Sequence, residues 1–128
     1  MPVRKVFPTY PTQGEAIRKL SEAINSIIDD LPVRVSRAVS SAATADINAG
    51  VYLADATSAA FTVTLPSVAA YKYRQLTIKK VDSSANAVTV DGNGSETIDG
   101  ATTYALSAQY DSVTIYSDGS EWHVIATA

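Results

Sequence analysis

The chain predicts an α+β protein in which an extended N-terminal arm and one short coiled-coil helix precede an antiparallel all-β knob. Apolar residues recur at alternating steps of three and four over residues 13–31. From Gly50 onward the pattern changes to short alternating runs divided by turn residues, and the opening MPVRKVFPTYP follows neither period. The expected divisions are residues 1–12 as arm, 13–31 as coiled-coil helix, 32–49 as neck or linker, and 50–128 as knob.

The arm comes first. Pro2, Pro8 and Pro11 hold the backbone extended and exposed. A frayed terminus is one explanation. The other is a docking arm, because Val3, Val6, Phe7 and Tyr10 are a large apolar supply for a tail, and Arg4 and Lys5 suit an acidic surface.

In the helix, Ile17, Leu20, Ile24, Ile27 and Leu31 form one narrow seam flanked by Arg18, Lys19, Glu22, Asn25 and Asp29, the signature of a short coiled coil. Thr12 stands at the N-cap, with Glu15 placed to complete a capping box. At a rise of roughly 1.5 Å per residue the helix is about 28 Å long, which is marginal in isolation, so its stability comes from packing. Ile17, Ile24 and Leu31 take a positions, and Leu20 and Ile27 take d positions. Ile with Leu favours dimers and Ile at both favours trimers, so the two heptads disagree, while Ala16, Ala23 and Ile28 widen the seam toward three strands. A helix folded back on its own β domain is the alternative.

Pro32 interrupts the heptads, and the following stretch is rich in Ala, Ser, Thr and Val. It fits a second short helix capped by Asp29 or Asp30, or an extended segment with Val33 and Val35 opposite Arg34 and Arg37. Small residues suit a close-packed neck, and a plain linker is the simpler expectation.

The knob begins with VYLAD and FTVTLPS, the latter placing Phe61, Val63 and Leu65 on one face and Thr62 and Thr64 on the other. RQLTIKKVD and AVTVD follow, then a glycine-rich loop leading through Thr97 and Ile98 to a turn at Asp99-Gly100. The closing hairpin pairs DSVTIYS with EWHVIAT around Asp118-Gly119. Val113, Ile115, Trp122 and Val124 are its expected core. The bases between Tyr71 and Lys80 fit a solvated strand face better than a nucleic-acid surface.

Chemistry is scarce. With no Cys, disulfides, thiolate nucleophiles and cysteine metal sites are all excluded, and packing alone holds the fold. The net charge is −3. Residues 1–50 carry six bases against five acids, leaving four against eight of the 10 and 13 for the acidic remainder. No apolar run reaches membrane-spanning length and the N-terminus lacks a signal-peptide core, so the chain is expected to be unprocessed and not inserted in a membrane. His123, the one histidine, is expected to face outward or an interface rather than join a zinc site or a triad. Asp91, Asn93 and Ser95 have calcium-loop spacing, but Glu96 replaces the required glycine and no bidentate Glu follows. No catalytic, metal or cofactor-binding residues are therefore assigned. Tyr71, Tyr73, Tyr104, Tyr110 and Tyr116 suit sugar stacking or ordinary core and edge positions equally.

The run LTIKKVDSSANAVTVDGNGSETIDG and the following YDSVTIYSDGSEWHVIA resemble a β module near the C-termini of many tailed-bacteriophage virion proteins, among them short fibres, head fibres and tail or capsid appendages. The likeness rests on the strand Thr77 to Val81, the strand Asn86 to Val90, the Thr97-Ile98-Asp99-Gly100 turn and the Ser117 to Trp122 hairpin, and spans residues 60–126. It implies a homotrimer and a virion context. The expectation is a non-enzymatic head fibre or capsid decoration protein, made in the bacterial host cytoplasm and carried on the virion exterior. Its partners would be itself and, through the arm, the capsid or another virion protein, with no nucleic acid. A tail-tip or tail-needle knob that binds a host receptor or surface glycan is the alternative.

Overall fold

The computed structural model describes residues 12–30 and 35–128, and for 27–30 the backbone alone. It divides into two compact units, Met1–Pro32 and Val33–Ala128.

In the first unit, helix α1 spans Gln13–Asp30. Its start is the predicted reciprocal capping box: the Glu15 amide donates to Thr12 Oγ1 and the Thr12 amide donates to Glu15 Oε2, each over 3.2 Å. Two otherwise unpaired amides at the helix start are satisfied in this way.

The second unit is mainly β. Its strands are β1 (Val35–Val39), β2 (Ala43–Thr44), β3 (Ala49–Ala54), β4 (Phe61–Thr64), β5 (Gln75–Lys80), β6 (Val88–Asp91), β7 (Thr103–Leu106), β8 (Ser112–Ser117) and β9 (Trp122–Thr127). They form a five-stranded sheet, β1-β3-β5-β8-β9, and a four-stranded sheet, β2-β4-β6-β7. The chain steps from one sheet to the other after each of the first five strands. Every return therefore lays the new strand beside its predecessor in the same direction, winding a two-sheet coil around one core.

This winding corrects the expected antiparallel knob. β1–β3, β3–β5, β2–β4 and β4–β6 are parallel, so both sheets are mixed. Among the described strands, the antiparallel ladders are β5–β8, β6–β7 and β8–β9. Alternation of side chains is common to both kinds of ladder, and it does not encode which neighbour a strand chooses.

The stretch 32–49 is likewise more than a neck. It holds β1 and β2, which belong to the β unit through their ladders with β3 and β4. Arg37 aligns with Tyr52, and Val39 aligns with Ala54, so Arg37 and Val39 stand on one face. Arg37 reaches Asp46 over 3.0 Å at the sheet margin.

Between the sheets lie Leu76, Ile78, Val113, Ile115 and Trp122 from the five-stranded side, against Val63, Leu65, Val88, Val90 and Leu106 from the four-stranded side, all buried. The expected placement of Val113, Ile115 and Trp122 holds, and Val124 is half-buried against the same cluster. Tyr71 is also core: its hydroxyl donates 2.5 Å to the Ala49 carbonyl, and its ring meets Trp122 at 5.4 Å between centroids. The closing hairpin turns through four residues, with the Asp118 amide donating to the Glu121 carbonyl and Gly119 alone in the turn at positive φ, 94°.

Candidate interaction surfaces

Ile17, Leu20 and Ile24 of α1 are 59%, 62% and 46% exposed. Three large apolar side chains on one helical stripe, all open to solvent, are the usual mark of an association surface. Ile27 contributes only its backbone to the described structure, and Leu31 lies outside the described residues. Val3, Arg4, Lys5, Phe7 and Tyr10 of the arm also lie outside them.

The outer face of the five-stranded sheet carries two rows set by strand register. One runs Ser36, Val51, Thr77, Thr114 and Ala126; the other runs Ala38, Leu53, Lys79 and Ser112. Thr77 and Thr114 hydrogen-bond to each other across the strands at 2.9 Å. Lys79 is the one charged residue of the two rows, and its ammonium sits 5.2 Å from the centre of the Tyr110 ring. Beside Leu53, a shallow open depression of about 520 Å³ is lined by Ala38, Val39, Ser40, Leu53, Asp55 and Val81.

The outer face of the four-stranded sheet has a different chemistry. Thr44, Thr64, Asp91 and Thr103 form one row, and Thr62, Thr89 and Ala105 form the other. Its one aliphatic residue is Ala105, whereas the first face mixes its hydroxyls with Val51, Leu53, Ala38 and Ala126.

Lys80 corrects the expectation of a solvated strand. Its side chain is fully buried, in phase with Leu76 and Ile78, and its ammonium lies 2.6 Å from Asp82 Oδ1. Burial would raise the Asp82 carboxyl, but the Lys80 ammonium, the Ser84 hydroxyl and amide, and the Ala56 amide together pull it far below the ordinary carboxylate range. Ser84 and Asn86 extend the network to the Ala56 carbonyl at 3.1 and 2.8 Å. The site clamps the end of β5 to the loop after β3. It is a structural device: the buried ammonium and carboxylate are each met by protein partners.

His123 is partly exposed, as expected. Its Nε2 is 2.8 Å from Asp118 Oδ2 and its Nδ1 is 3.7 Å from Asp99 Oδ1, so the imidazole stands between two turns. The hydrogen bond to Asp118 raises it above its ordinary 6.5, and in return Asp118 is lowered to about 2, helped by the Glu121 and Ser120 amides. Among the described residues no group of three His, Cys, Asp or Glu is placed to hold a metal ion. The Asp91, Asn93 and Ser95 loop serves to tie strands, with Asn93 Nδ2 donating to the Leu65 carbonyl over 3.4 Å and Glu96 Oε2 accepting from the Val68 amide over 2.9 Å.

The tyrosines separate by environment. Tyr71 is core, Tyr104 and Tyr116 are half-buried, and Tyr73 and Tyr110 are 68% and 58% exposed. Both exposed ones have left-handed backbones, with φ of 65° and 70°. Their amides donate to the Ser117 and Lys80 carbonyls, and these bonds hold the strained turns.

No protein-family model matches the chain, and no curated protein matches it.

Proposed function

We propose that this chain is a non-enzymatic structural protein of a tailed-phage virion, a homotrimeric head fibre or capsid decoration protein anchored by residues 1–12. The exposed stripe Ile17, Leu20 and Ile24 is the observation that carries the reading. Fully burying such a side chain contributes about 1.5–3 kcal/mol. That is ample reason for the stripe to be covered, and a coiled coil with other copies covers it in the register its spacing sets. The resemblance of residues 60–126 to phage virion modules supports the number three and the setting. A small β unit on a short stalk suits a compact surface protrusion.

Light scattering on the whole chain at micromolar concentration tests the assembly, with a mass of three chains expected; a single-chain mass would refute it. Imaging of the intact virion tests the location, and density confined to the tail end would overturn a capsid site. Removal of residues 1–11 should leave the trimer folded and abolish attachment to particles.

The second reading, a tail-tip knob that binds a host receptor or glycan, is favoured by Tyr73 and Tyr110, whose rings are presented to solvent on strained turns. Glycan-array binding that is lost in Tyr73→Ala and Tyr110→Ala would select it.

A further inference from the structure

We infer that the outer face of the five-stranded sheet, centred on Leu53 and Thr77, is the surface through which the β units of neighbouring copies meet in the assembled protein. The inference rests on the homotrimer proposed above, and it names the part of the β unit that completes the assembly.

The stalk alone is a small interface. It offers two heptads per chain, and association must offset the lost freedom of every copy it joins before any affinity remains. A second contact from the β unit is therefore needed for a trimer that persists at low concentration. Only residues 31–34 separate the end of α1 from the start of β1, so copies joined by their helices hold their β units at high local concentration. Under those conditions even a weak face is occupied by its own kind.

The two outer faces are not equally suited to that role. On the five-stranded sheet, Val51, Leu53 and Ala38 form a continuous aliphatic area across β1 and β3, and the Thr77 and Thr114 hydroxyls beside it are bonded to each other. The rows contain no carboxylate, and their one ammonium, on Lys79, is directed to the Tyr110 ring. Asp55 borders the adjoining depression, so the face as a whole pairs one ammonium with one carboxylate and does not set a single sign against a copy of itself. The depression beside Leu53, bordered by Ala38 and Val81, gives a neighbouring aliphatic side chain somewhere to sit. On the four-stranded sheet the corresponding rows are threonines with Asp91, which would set like charges against one another on self-association.

The test compares Leu53→Asp with Thr89→Asp, a matched change on the opposite face, in the full chain. Leu53 is 36% exposed and Thr89 is half-buried on its outer face, so both acids project from a folded sheet. Sedimentation at a series of concentrations should show Leu53→Asp raising the concentration at which the assembly dissociates by about tenfold or more, with Thr89→Asp close to the parent. Equal shifts, or none, would overturn the inference while leaving the trimer intact. A parent protein that sediments as a single chain would instead refute the trimer, and the face with it.

Should Leu53→Asp lose its β circular dichroism, cysteines decide. The chain has none, so Thr77→Cys and Thr89→Cys report on their own positions. Mild oxidation should link two of three Thr77→Cys chains and leave Thr89→Cys unlinked. Linkage at Thr89 alone, or at neither position, counts against the face.

Discussion

Lys80 Nζ and Asp82 Oδ1 lie 2.6 Å apart with both side chains buried, two residues apart along the chain at the end of β5. A pair so enclosed is costly to break, because whichever partner remains keeps an uncompensated charge out of water. Lys80→Met should therefore destabilise the fold by about 3–5 kcal/mol, measured by chemical denaturation. Lys80→Met combined with Asp82→Asn should recover part of the loss, since no stranded carboxylate is left. A single variant within about 1 kcal/mol of the parent would show that the pair is not structurally important.

The His123 imidazole contributes through its raised protonation. That contribution is fully present below about pH 6.5 and is lost as pH rises through the folded value. Asp118, lowered to about 2, works in the other direction: its contribution is present above its ordinary 3.8 and disappears as pH falls toward 2. The stability gap between the parent and His123→Gln should thus be wider at pH 6 than at about pH 8. A gap that does not change with pH would show that the imidazole carries no charge in the staple. An NMR titration of the ring should give a midpoint above 6.5.

Gly92 and Gly94 share a loop and should respond differently to alanine. A Cβ on Gly92 would fall 2.1 Å from the Glu96 carbonyl oxygen, whereas one on Gly94 meets nothing within 4 Å and is opposed only by its φ of 59°. Gly92→Ala should cost about 1–3 kcal/mol, as overpacking does, and Gly94→Ala about 1 kcal/mol. Thermal melts showing the reverse order would contradict the close approach that seats Glu96 under Val68.

Ile24→Asp places a charge in the exposed stripe of α1. In the proposed assembly it should convert the three-chain mass to a single-chain mass in light scattering, with the β circular dichroism unchanged. An unaltered mass would mean that the stripe is not the contact.

Much of the β unit was legible because one face of each strand is open. Phe61 to Leu65 and Val113 to Trp122 alternate cleanly, and their buried residues follow. Asp99-Gly100 was legible as a turn from chemistry alone, and both residues do take positive φ. What escaped is what alternation does not carry. The parallel ladders depend on crossings between sheets, which leave no local mark. β1, VSRAV, is an edge strand with three exposed residues in its middle, so it carries little of the alternation that marks a buried strand. At Lys80 phase outweighs charge: it continues the Leu76, Ile78 series at the next alternate position, and Asp82 follows two residues later. The period places it inside, and burial there requires the counter-charge that Asp82 supplies.

The winding of β1 to β6 also says how this protein could change length. Each turn of the coil adds one strand to each sheet and contacts chiefly the turns beside it, as in repeat proteins. Duplicating the span that holds β3 and β4 would extend the β unit by about 4.8 Å in each sheet. The helix would keep its seam, and the β8–β9 hairpin would still close the far edge. Growth by whole turns is therefore open to this fold, with both ends inherited unchanged.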